Sequence, residues 1–138
     1  SFVKEVFYDN AKLYDDFKPA LRRLYDIKNN TEIIVTAITE QQPESAVYTL
    51  KWINNCCDVF DDIIFVNYQV LPRKKKKSYY DFNIVIDDSP DNIKEYLDAG
   101  IQTVVRKQPW NIEVQSLTDS VDTFDGFVDI IIDRYLKG

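Results

Sequence analysis

Short, almost wholly apolar runs alternate along this chain with stretches of helical spacing, and that alternation limits its fold more than any other feature. Val3 to Tyr8 reads as a strand. Asp16 to Ile27 reads as a helix with Phe17, Leu21, Leu24 and Tyr25 on one face. Glu32 to Thr36 is a short β-branched run, expected as the next strand. Pro43 to Asn54 suits a helix with Pro43 in its first turn and Ala46, Val47, Leu50 and Ile53 inward. Asp62 to Val66, Phe82 to Ile86 and Ile101 to Val105 supply three more strands. Between the last two, Ser89 can cap a helix that has Pro90 at its first position and Gly100 just past its end. A final helix is predicted over Val121 to Leu136, capped by Ser120, with Phe124, Phe127, Val128, Ile131, Ile132 and Tyr135 at helical spacing.

Strands that are apolar throughout, separated by helices, are buried on both faces of a parallel sheet. The expected architecture is therefore α/β. It is a single three-layer, Rossmann-like domain over residues 1–138 with a mostly parallel five-stranded sheet. The length allows one domain with a real core and no second comfortable one. No repeat, low-complexity tract or linker interrupts it.

Composition removes several function classes. The chain has no histidine, which excludes histidine bases, histidine triads and histidine metal ligands together. Catalysis, if any, runs on carboxylates, lysine, hydroxyls or a hard metal ion. A net charge of −6 argues against a general nucleic-acid binder, which needs a basic face. The run Arg73-Lys74-Lys75-Lys76-Lys77 is the local exception. It reads as a solvated loop, with a patch facing phosphate or an acidic partner as the alternative, so nucleic acid is not excluded. Cys56 and Cys57 are neighbours, and a disulfide between them would be strained. Reduced thiols and the lack of an apolar leader or span (Lys4 and Glu5 break the first apolar stretch) give the expectation of a cytoplasmic protein. Ser1 and the absence of Met read as a trimmed chain. Trp52 and Trp110 are expected as packing residues.

In parallel α/β sheets ligands bind beyond the carboxyl ends of the strands. That rule selects Asp9, Thr36, and the adjacent Asp87 and Asp88 within Asn83-Ile84-Val85-Ile86-Asp87-Asp88-Ser89-Pro90. Carboxylates gathered within a few ångströms repel one another unless a cation sits among them. Magnesium is the natural occupant, because it takes oxygen ligands and keeps waters and substrate phosphate in its shell. A hydroxyl and a lysine then hold the remaining phosphate oxygens. Lys77 is the lysine nearest the strand mouth. The bland reading of Asp87 and Asp88 is a solvated helix start, where negative charge is favourable by about 0.3–1 kcal/mol.

These residues resemble the motifs of the haloacid dehalogenase superfamily, and most closely those of its 5′(3′)-deoxyribonucleotidase branch. The likeness runs over residues 30–111. It passes through Ile33-Ile34-Val35-Thr36-Ala37, Lys77, Ile84-Val85-Ile86-Asp87-Asp88-Ser89-Pro90, Asn92-Ile93, Ala99-Gly100-Ile101 and Pro109-Trp110-Asn111. Such a resemblance implies Asp9 as nucleophile, with Thr36, Ala37 and Lys77 holding the phosphoryl group, and Asp9, Asp87 and Asp88 around Mg2+.

The chain departs from the family in two respects. The first motif ordinarily carries a second aspartate and then a glycine, where Asp9-Asn10-Ala11-Lys12 has Ala11 and Lys12. The intervals 10–35 and 37–76 are also too short for the cap domain of many relatives. The resemblance thus implies a capless phosphatase fold with a remnant magnesium and phosphate site. Its role is expected to be that of a binding module for a protein or nucleic-acid partner, with catalysis impaired or lost. The alternative is an active Mg2+-dependent phosphomonoesterase, a nucleotidase or polynucleotide-end phosphatase.

Overall fold

The computed structural model describes residues 17–29, 31, 33–40, 62–66 and 82–136. The expected strand over Val3 to Tyr8 and the expected helix over Pro43 to Asn54 lie outside these residues, as do Cys56, Cys57, Trp52 and the basic run. The chain is mixed α/β, and every strand pair described is parallel. Two compact units, Ser1–Lys74 and Lys75–Gly138, divide it.

In the first unit α1 spans Phe17–Lys28. Pro19 sits in its first turn, where the missing N–H costs nothing, and Lys28 closes it against the negative end of the helix dipole. Ala20, Leu21 and Leu24 are its buried residues, whereas Tyr25, expected inward, is exposed. Strand β1 (Thr36–Glu40) pairs in parallel with β2 (Asp62–Val66), Thr36 opposite Asp62 and Glu40 opposite Val66. The bounds of β2 are those the sequence predicts. Those of β1 are not: residues 33–35 carry no regular structure, Ile34 is 78% exposed, and the strand starts where it was expected to end. β-propensity favours Ile33-Ile34-Val35, but the ladder with β2 sets the register, and pairing overrides propensity.

The second unit is a β-α-β-α-β succession. Its elements are β3 (Ile84–Asp87), α2 (Pro90–Asp98), β4 (Gln102–Arg106), a 3-10 turn (Pro109–Asn111) and α3 (Ile112–Gln115). They are followed by β5 (Asp119–Val121), α4 (Phe124–Ile131) and a wider π turn over Ile132–Leu136. The strands form one parallel sheet in the order β3-β4-β5, with Asp87 opposite Val105 and Val105 opposite Ser120. Central β4 is covered on both faces, because successive residues Thr103, Val104 and Val105 are all fully buried. Ile93 of α2, Val105 and Val114 of α3 form one core cluster with Leu97 packed against it. Thr103 is tolerated inside because its hydroxyl donates to the Ile101 carbonyl at 2.8 Å.

Both ends of α2 follow from local sequence. Ser89, with φ −86° and ψ 121°, accepts the Asn92 N–H at 3.4 Å, Pro90 takes the first turn and Asp91 meets the positive end of the dipole. At the other end Gly100 adopts φ +79°. The Gly100 N–H donates to Leu97 O (3.0 Å) and the Ile101 N–H to Tyr96 O (2.9 Å), the paired bonds of a glycine-terminated helix. Because Ile101 is used in this stop, β4 begins one residue later than expected.

The last helix corrects the sequence reading. Ser120 does not cap it. Residues 119–121 pair with β4 instead, and the Ser120 hydroxyl donates to Gln115 O at 2.6 Å. Thr123 is the cap, accepting the Gly126 N–H at 3.1 Å, and Phe124 starts the helix. Gly126 suits the close approach of α4 to β5: an added Cβ would lie 3.0 Å from Val121 Cβ, a tight contact that Val121 would have to yield to. Val128 and Ile131 face inward as predicted, while Tyr135 is exposed. The Tyr135 hydroxyl sits between the Asn83 carbonyl and Gln102 Oε1 at the amino ends of β3 and β4, and Arg134 pairs with Asp119 at 2.8 Å.

Candidate functional site

The carboxyl ends of β3, β4 and β5 lie side by side, which brings three loops together: 87–89, 106–111 and 121–123. Lys107 N–H donates to Val121 O at 2.9 Å, joining the second loop to the third. Lys107 Nζ lies 3.9 Å from Asp122 Oδ1 on an exposed surface, an ion pair of little energetic weight. The Arg106 guanidinium stands 5.4 Å from the centre of the Phe124 ring and donates to Lys107 O at 3.2 Å.

Asp87 and Asp88 stand at the mouth of β3 as the sequence predicts. Asp87 ends the strand, and its carboxylate folds the chain into the helix: Oδ1 accepts the N–H groups of Asp88 (2.7 Å) and Ser89 (2.9 Å), and Oδ2 accepts Asn92 Nδ2 (3.3 Å). Its orientation is therefore fixed by three donors. The next residue is held by its main chain. The Asp88 carbonyl accepts from Trp110 Nε1 and from Asn111 Nδ2, each at 3.0 Å.

Asn111 is fully buried and uses its whole side chain. Nδ2 donates to Asp88 O and to Arg106 O (2.8 Å). Oδ1 accepts Gln108 N–H (2.9 Å) and Gln115 Nε2 (2.9 Å). Gln115 Nε2 also reaches Gln108 O at 3.2 Å. Trp110 is 55% exposed, so it is not the packing residue the sequence suggested. Its indole N–H is a tether on the acid loop. The sequence carries Pro109-Trp110-Asn111 in the resemblance but assigns these residues no part in the site. A Trp-Asn pair just beyond a buried strand was the available signal.

The other expected site residues are placed less completely. Thr36 and Ala37 open β1 rather than close it, so the rule that places ligands at carboxyl strand ends no longer selects them. Glu40 ends that strand. Asp9 and Lys77 lie outside the described residues.

Among the described residues no group of three His, Cys, Asp or Glu side chains is gathered to cage a metal ion. The acid pair itself suits magnesium. It offers hard oxygen donors, the ligand type magnesium takes. A site with few protein carboxylates is also the kind magnesium uses when water and phosphate fill the rest of its shell. Among the described residues no helix is long and apolar enough to cross a membrane. Comparison of the chain with models of known protein families, with curated proteins and with solved structures finds no match.

Proposed function

We propose that the chain is a capless phosphatase-fold binding module of haloacid dehalogenase type, with a five-stranded Rossmann-like core. On this reading its acid corner holds Mg2+ and a phosphate group carried by a protein or nucleic-acid partner, with turnover impaired or absent. The observation that carries the reading is the Asp87–Asp88 loop. It is an acid pair at the carboxyl end of a parallel strand, fixed before any ligand arrives by donors from its own helix and from the neighbouring loop.

Asp87 and Asp88 would hold the ion together with Asp9, and the ion when bound would offset the phosphate charge. Thr36, Ala37 and Lys77 would hold the phosphoryl oxygens. Those three assignments, and that of Asp9, rest on the order of motifs. Ala11 and Lys12 support the binding reading over the catalytic one, because no acid stands where the leaving group and the attacking water would be served.

Calorimetric titration of Mg2+ in the presence of inorganic phosphate tests this. The wild-type chain is expected to take up the ion, and Asp87→Asn to abolish uptake. Asparagine keeps Oδ1 for the Asp88 and Ser89 N–H groups and removes the charge. No uptake by the wild-type chain would show that the acid pair only starts a helix.

A further inference from the structure

We infer that the last turn, Ile132–Leu136, is a clasp across the amino ends of the sheet β3-β4-β5, closed by Arg134 and Tyr135 and opening by itself while α4 and the strands stay folded. It sits at the end of the sheet opposite the acid corner and does not depend on the proposed magnesium and phosphate site.

α4 begins after Thr123 at the carboxyl ends of the strands and runs back along the sheet until its last turn overhangs their amino ends. Residues three and four positions apart share one face of a helix. The inward face of Val128 and Ile131 therefore continues to Arg134 and Tyr135. There the apolar sheet has run out, and the two side chains meet strand ends instead of a core. The Tyr135 hydroxyl reaches the Asn83 carbonyl, just ahead of β3, and Gln102, the first residue of β4. Arg134 Nη2 lies 2.8 Å from Oδ2 of Asp119, the first residue of β5. Two neighbouring residues thus tie one turn to all three strands.

Both ties are weak. A hydroxyl has one proton, so its two acceptors together count for about one hydrogen bond. The Arg134 and Asp119 side chains are 34% and 40% exposed, where an ion pair contributes little and is screened by salt. Apolar packing does not make up the difference. No residue of the turn is fully buried, whereas α4 just before it keeps Val128 and Ile131 inside. A segment with few buried apolar contacts and exposed hydrogen bonds is the first to open locally. The change from α to π geometry falls between the same residues, Ile131 and Ile132, where core packing gives way to the two polar ties.

Amide exchange on the full chain tests this, read residue by residue as protection relative to an unstructured chain. Asp133 to Leu136 report the clasp, and Val104 and Val105 of β4 report the sheet. In the wild type the clasp amides are expected to be protected, but about 10²-fold or more below Val104 and Val105. Tyr135→Phe keeps the ring and deletes the hydroxyl, and is expected to lower clasp protection by about 2- to 10-fold. Arg134→Gln is expected to lower it by about 2- to 5-fold. Neither substitution should alter Val104 or Val105. Raising the salt to about 0.5 M should loosen the clasp in the wild type and in Tyr135→Phe, and leave Arg134→Gln unchanged.

Clasp amides as protected as Val104 and Val105 would overturn the inference, since the turn would then open only with the whole unit. So would a wild-type turn with no protection, which would mean that nothing is closed. Tyr135→Phe without effect on the turn, or with an equal effect on Val104 and Val105, would overturn it as well.

Discussion

Asn111→Ala is expected to destabilise the second unit by several kcal/mol, more than any single surface change described above. The side chain closes four hydrogen bonds where no water reaches. Two of the groups it serves have a second partner: Asp88 O keeps Trp110 Nε1, and Gln115 Nε2 keeps Gln108 O. The Gln108 N–H loses its acceptor and the Arg106 carbonyl loses this donor. A hydrogen bond contributes about 0.5–1.5 kcal/mol net, and four are lost together. The small cavity left by the amide adds to it. Urea unfolding followed by tryptophan fluorescence checks the value. A loss below about 1 kcal/mol would mean that water replaces the amide and that the four Asn111 bonds are not a structural necessity.

The largest expected change in activity lies in the first motif. Ala11→Asp combined with Lys12→Gly is expected to raise phosphate release by about 10²- to 10⁴-fold over the parent chain, the usual contribution of a positioned general acid and base. The effect follows from what the parent lacks. On the phosphomonoesterase reading Asp9 would attack only as well as the leaving oxygen can depart, and no acid stands at position 11 to protonate it. Release from a nucleotide and from a 3′-phosphorylated oligonucleotide, each with Mg2+, measures the effect, with Asp9→Asn as the blank. Release restored in the double variant and absent from the blank would show a phosphohydrolase framework that has lost its proton donor. No release from either variant would remove the phosphomonoesterase reading of this chain.

What was legible in the sequence was local. Ser89, Pro90 and Gly100 announce α2 because capping, a fixed φ and a left-handed stop each need only a few neighbouring residues. The bounds of β2 and the apolar centre of β4 follow from composition in the same way. What was missed depended on partners far along the chain. The Ile33-Ile34-Val35 run lost its place in β1 to the register with β2. Ser120 and Thr123 both look like caps, and only pairing of residues 119–121 with β4 decides between them. Within the candidate site the acids were readable, since paired charges after an apolar run are conspicuous. The Asn111 bond to the acid loop was not, because Asn111 reaches Asp88 across 23 positions and nothing local to either residue predicts that contact.

The central claim is that Asp87 and Asp88 form the metal corner of a phosphate site. Manganese tests it most directly, being a paramagnetic ion with the same preference for oxygen ligands as magnesium. Substoichiometric Mn2+ added to the labelled chain with phosphate is expected to broaden the amide signals of Asp87, Asp88, Ser89 and Asn92 first, and excess Mg2+ to restore them. Broadening that instead spreads evenly over the exposed acids Asp91, Asp98, Asp122 and Asp129, or no broadening at Asp87 to Asn92, would contradict the claim.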